Sequence, residues 1–144
     1  TRSPFELSSG EKELLSLAVA LSLNPKLIII DEPTIYLDNK REEYIIKILK
    51  KLKNNYNKTI IVFTDNIEFA TKIADNYLLL KGGKVYSSGT NKELLLSCDK
   101  IKKSGMEVPK IMNFINTVKK KKNIDLEQTF DIKELMKDIY RNVK

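Results

Sequence analysis

Along residues 9–23, SGEKELLSLAVALSL, a polar first turn gives way to apolar residues at nearly every position. That distribution covers all faces of a helix and predicts one buried all round. Asn24-Pro25 ends it, because the residue before a proline disfavours helical backbone. Lys26 leads into Leu27-Ile28-Ile29-Ile30, an unbroken apolar run that fits a central parallel strand covered on both faces, closed by Asp31, Glu32 and Pro33. Tyr44, Ile45, Ile48, Leu49 and Leu52 then recur at helical spacing, predicting an amphipathic helix from about Asn39 to Tyr56 with its lysines outward. Thr59 to Thr64 (TIIVFT) reads as a second buried strand, and Asp65 and Asn66 are suited to cap a helix over about Ile67 to Ala74. The order helix, strand, helix, strand, helix predicts an α/β fold, a parallel sheet with helices on both faces.

Downstream, Tyr77 to Lys81 and Lys84 to Ser88 flank Gly82-Gly83, the pattern of a two-residue hairpin. Thr90-Asn91-Lys92-Glu93 is a capping box opening a short helix through Leu94, Leu95 and Leu96. Beyond about residue 100 there is no strand signal, only two helical stretches, Pro109 to Lys121 and Ile132 to Val143. The pattern therefore predicts two parts: an α/β part over 1–98 and a small helical C-terminal domain over 99–144.

Composition narrows the class. With 42% hydrophobic and 31% charged residues, 5 Gly and 4 Pro in 144, the chain is neither disordered nor collagen-like. Its longest apolar run, Leu14 to Leu23, is broken by Ser16 and Ser22 and falls short of a membrane span. Cys98 stands alone and there is no histidine, so neither an internal disulfide nor a Cys/His metal site can form, and a reducing cytoplasm is expected. The net charge of +7 comes from 23 Lys and only 3 Arg; it divides into +2 over 1–98 and +5 over 99–144. Arginine, the bidentate reader of phosphate and guanine, is nearly absent, so no nucleic-acid partner is expected. The Lys119 to Lys122 run reads as a solvated helix end. The first residue is Thr1 and no signal peptide follows, which suggests a piece of a longer protein.

Two places could carry chemistry. Asp31 and Glu32 put two carboxylates at the C-terminal edge of a sheet, where open α/β folds bind ligands. One could hold Mg²⁺ while the other activates water as a general base; the same pair could equally just end a strand. Ser8, Ser9, Gly10 and Glu11 precede the first long helix, whose N-terminus offers N–H groups and a positive dipole end to an anion. Ordinary serine capping explains that stretch as well. Joined by one helix and followed by Asp38, the two places read more sharply together.

The run FELSSGEKELLSLAVALSLNPKLIIIDEPTIYLD, Phe5 to Asp38, resembles the signature motif, Walker B strand and D-loop of ABC-type ATPases. The family's signature reads LSGGQ or LSGGE, so Ser9 here replaces the first of its two glycines. The resemblance implies that Ser8, Ser9 and Gly10, with Glu11, touch the γ-phosphate of ATP held by an opposite subunit. It also implies that Asp31 holds Mg²⁺, Glu32 is the catalytic base and Asp38 couples two sites. TIIVFTDN is similar to the switch strand, where the family usually carries Thr-His-Asp; Asp65 stands here in place of the histidine. The run Arg2 to Ser8 (RSPFELS), the Val108-Pro109 segment and Thr129 to Ile132 resemble the energy-coupling-factor and cobalt-type importer ATPases.

By that resemblance the fold is part of a P-loop-type sheet with flanking helices, and the function is MgATP hydrolysis powering uptake of a vitamin or metal ion. The implied partners are a second ABC ATPase subunit, in a homo- or heterodimer, and transmembrane transporter subunits at the cytoplasmic face of the membrane. A non-catalytic regulatory subunit and a DNA-repair or chromosome-organising ATPase of the same superfamily are the alternatives. No G-x-x-x-x-G-K-[ST] loop occurs in the sequence, and Gly82-Gly83-Lys84 fails on spacing, so these 144 residues alone are expected to bind ATP negligibly and not turn it over.

Overall fold

The computed structural model describes residues 3–142; Val143, the expected last residue of the final helix, lies outside them, as do Thr1 and Arg2. Contacts group the chain into two compact units, 1–73 and 74–144. In the first, a 3₁₀ turn at Pro4–Glu6 is followed by α1 (Ser9–Ser22), β1 (Leu27–Asp31), α2 (Asn39–Tyr56), β2 (Thr59–Phe63) and α3 (Ile67–Ile73). β1 and β2 pair in parallel, Leu27 opposite Thr59 through Asp31 opposite Phe63.

Side chains of a strand alternate between faces, and here only one face is covered. Ile28 and Ile30 on β1 and Ile60 and Val62 on β2 point inward. Ile45, Ile46 and Leu49 of α2 and Phe69 of α3 form the buried centre, with Leu14 and Leu17 of α1, Leu52 and Ile73 around it. On the opposite face Leu27, Ile29, Ile61 and Phe63 are exposed, Ile29 by 62%. The expectation of strands covered on both faces, with helices on both sides, therefore fails for the described residues: their parallel sheet has two strands and the helices of this unit share one face of it. α1 departs from expectation in the same way. Leu14, Leu17 and Leu21 are half-buried, Leu15 and Val19 are exposed, and Gly10 is its only buried residue. Apolar content set the expectation, but burial needs a neighbour on each face, and α1 has neighbours on one.

Local chemistry accounts for the ends of the helices. Asn66 accepts the Phe69 N–H at 2.9 Å and so caps α3, while Asn24 and Asn57, both at positive φ, close α1 and α2. Lys72 on α3 reaches Glu68 at 2.9 Å and Glu42 of α2 at 3.7 Å. Partial burial lowers the affinity of this ammonium for its proton, yet the Glu68 hydrogen bond and the charges of Glu68 and Glu42 outweigh that and leave its pKa raised.

The second unit opens with the antiparallel hairpin β3 (Asn76–Lys81) and β4 (Lys84–Thr90), turned by Gly82 and Gly83, both at positive φ. α4 (Asn91–Leu95), α5 (Cys98–Ser104), α6 (Lys110–Lys122) and α7 (Ile132–Asn142) follow. The Thr90–Glu93 capping box is present. α5 was not anticipated: with seven residues and four charges it carries too little apolar period, and burial of Cys98 and Ile101 organises it instead. Ile115, Leu126 and Leu135 form the core of the tail.

Burial raises the pKa of the Cys98 thiol above its ordinary 9.0. A raised folded-state pKa contributes stability that is present below about pH 9 and lost as pH rises beyond it. At pH 8 the native thiol is expected to react with iodoacetamide at least about tenfold more slowly than in the unfolded chain. A mass-spectrometric time course showing equal rates would contradict this burial.

Candidate functional site

Glu32 follows β1 directly. Its N–H continues the ladder by donating to the Phe63 carbonyl at 2.9 Å, and its backbone then turns to φ +43°. Left-handed backbone is unusual for a non-glycine residue, and a residue before proline ordinarily stays extended. The turn runs into Pro33, which is buried. It brings the carboxylate against the end of β2, where Oε2 accepts the Thr64 hydroxyl at 3.0 Å and Oε1 accepts the Asp65 N–H at 3.0 Å. Strained backbone persists where the surroundings enforce it, commonly at functional positions.

Asp31, one residue earlier, is exposed at the strand tip, and its side chain has no hydrogen-bond or ion-pair partner among the described residues. The two adjacent carboxylates thus differ: one is held, the other is open. No group of three His, Cys, Asp or Glu side chains gathers to hold a metal among the described residues. Magnesium does not need one, because it keeps several waters and uses one or two carboxylates together with substrate phosphates. An open carboxylate at a sheet edge fits that donor set.

At the start of α1 the serine stretch shows capping. The Ser8 N–H and hydroxyl both donate to Glu11 Oε2 at 2.9 Å, and Ser8 Oγ accepts the Glu11 N–H at 3.3 Å. The Ser9 hydroxyl has no partner among the described residues and faces solvent. Gly10 is needed for close approach: a Cβ there would stand 2.9 Å from the Tyr36 carbonyl oxygen and 3.3 Å from Leu37. The serine-rich helix start therefore abuts the loop that leads into Asp38. Gly10→Ala should destabilise the protein by about 1–3 kcal/mol, overpacking outweighing the gain in helix propensity. Urea unfolding showing a stabilised variant would refute this close approach.

Asp38 caps α2. Its Oδ1 accepts the Arg41 N–H at 2.8 Å and its Oδ2 lies 3.4 Å from the Arg41 guanidinium. The Asp65 side chain is exposed and has no partner among the described residues, while its N–H serves Glu32. The structure thus joins Glu32 to Thr64 and Asp65, and Gly10 to the loop before Asp38. Thr64 was not singled out from sequence. Its signal, a hydroxyl at a strand end one strand away from a carboxylate pair, is visible only once the register is known.

A family model described as "AAA domain, putative AbiEii toxin, Type IV TA system" matches residues 1–65. The energy-coupling factor transporter ATP-binding protein EcfA2 of Clostridium acetobutylicum is 33% identical over 140 residues, 97% of this chain and 49% of that protein. A dimeric ATP-binding cassette bound to ADP and Pi in a post-hydrolysis state superposes with TM-score 0.59 at 36% identity, covering 62% of this chain and 38% of that one. A cassette of Clostridium perfringens, cbiO1, described as part of the ABC transporter complex cbiONQ, gives TM-score 0.60 at 31% identity over 78% of this chain and 45% of that one. The chain spans about half the length of the curated relatives it matches.

Proposed function

Because this chain belongs to the family of ABC-transporter ATP-binding subunits, most like the energy-coupling-factor type, we propose that it is the C-terminal part of a subunit that hydrolyses MgATP to power uptake of a vitamin or metal ion. The observation that carries this reading is the pair of strand-tip carboxylates in two states, Asp31 open and Glu32 tied to Thr64 and Asp65. Asp31 would hold Mg²⁺, which when bound neutralises charge on the phosphates. Glu32 accepts a proton from the attacking water. Ser8, Ser9 and Gly10, with Glu11, present the α1 N-terminus to the γ-phosphate of ATP held by a second ATPase subunit, and Asp38 lies on the loop that links the two sites. Asp65 faces the same phosphate. Residues 1–98 are the ATPase portion and 99–144 the helical extension.

A phosphate-binding loop must come from outside these residues, since none occurs within them. On this reading the chain alone binds ATP negligibly. The exposed face of Leu27, Ile29, Ile61 and Phe63 supports the same view, as an apolar sheet face left for further structure to cover. By its similarity to transporter ATP-binding subunits, the chain sits peripherally at the cytoplasmic face, attached through transmembrane subunits; among the described residues no helix is long and apolar enough to cross a membrane. The test is ATP turnover and solute uptake by the complete subunit assembled with a second ATPase subunit and membrane subunits. ATP-dependent uptake supports the reading; an assembly that neither binds nor hydrolyses ATP overturns it. One observation favours a second reading, a non-catalytic regulatory subunit: Asp65 places an anion where the family carries histidine. Faster turnover after Asp65→His in the same assembly would favour that reading.

A further inference from the structure

We propose that Thr64 is a positioning residue for Glu32, setting the direction of its carboxylate; this rests on the assignment of Glu32 as the base. A hydroxyl has one proton and two lone pairs, so what it accepts constrains what it donates. Thr64 Oγ1 accepts the Asn66 N–H at 3.1 Å and lies 3.0 Å from Glu32 Oε2. An ionised carboxylate can only accept, so the single Thr64 proton is directed to Oε2. Oε1 is engaged separately by the Asp65 N–H at 3.0 Å. Each oxygen is used once and keeps a lone pair, so the group is fixed in plane yet able to take a proton.

The clamp also includes the backbone of Glu32. Glu32 also donates its N–H to Phe63 O, so three consecutive residues at the end of β2 each hold one atom set of Glu32. The φ of +43° at Glu32 is what makes the carboxylate meet them. A glutamate side chain is otherwise among the most mobile, with much rotamer freedom to lose. Thr64 is itself stiff, because a β-branched side chain has restricted χ1 freedom, and it is half-buried. Without its hydroxyl, Glu32 retains the right chemistry but spends less time in the productive direction, which costs rate rather than affinity.

The test uses the complete subunit in its transporter assembly. Thr64→Val is expected to lower kcat for MgATP about tenfold with KM within about twofold, and Thr64→Ser to stay within about threefold of the parent. In the Glu32→Gln background, Thr64→Val should slow turnover by less than about twofold, the non-additivity expected of residues acting as one unit. Without nucleotide, amide exchange at Asp65 should quicken about fivefold in Thr64→Val and remain at the parent rate in Thr64→Ser, because a loosened carboxylate protects that N–H less. Should Thr64→Val fail to fold, Thr64→Ala carries the same expectations. Parental kcat in the hydroxyl-free variant, an equal tenfold loss in the Glu32→Gln background, or a change confined to KM would each overturn the role of Thr64. Parental turnover by Glu32→Gln alone would instead overturn the assignment of the base.

Discussion

Replacing Glu32 with Gln is expected to cut ATP turnover by the complete subunit about 100- to 10,000-fold, the range by which a positioned general base accelerates proton transfer. ATP affinity should change by less than about threefold, since a base acts on the water and contributes little to ground-state binding. The substitution is nearly isosteric and its amide oxygen can still accept the Asp65 N–H, so the fold should survive. Single-turnover hydrolysis and equilibrium nucleotide binding, measured on the same preparation, separate the two quantities. Turnover within tenfold of the parent would remove Glu32 from the chemistry. Loss of binding alongside loss of rate would instead point to a structural collapse at the strand tip.

The largest effect on stability is expected at Phe69, which is fully buried among Ile45, Ile46 and Leu49. Phe69→Ala removes a ring from a packed centre and leaves a cavity, for a loss of about 3–5 kcal/mol. Against a typical total of about 5–15 kcal/mol, that leaves the first unit marginal. Phe63 makes the natural contrast: it is 49% exposed on the open face of the sheet, and Phe63→Ala should cost about 1 kcal/mol or less. Urea unfolding of the two variants decides the matter. Equal losses would mean that Phe63 is covered in solution, and that the open face is not open.

Much of the architecture was legible before the structure. The apolar run 27–30 lies in a strand, the run 59–64 is a strand as far as Phe63, Asn39–Tyr56 is a helix, Gly82-Gly83 turns the hairpin, and Thr90 caps α4 through Glu93. These features depend on residues within a turn or two of one another, where propensity, capping and period act directly. α5 escaped because its seven residues hold no periodic stripe. The candidate site divides along the same line. Ser8 with Glu11 and Asp38 with Arg41 are contacts three residues apart, so their capping geometry was open to sequence reasoning. The hydrogen bond of Glu32 to Thr64 spans 32 residues and was not.

The order and kind of most elements, their caps and the two carboxylates at a strand end were determined by the sequence alone, because the forces involved are local. Which apolar residues are covered, why Gly10 admits no side chain, and which carboxylate is held while its neighbour stays open were decided by the tertiary structure alone. The physical reason is shared. Burial, close approach and a clamped carboxylate each require a partner from another segment, and strand register, not composition, chooses it.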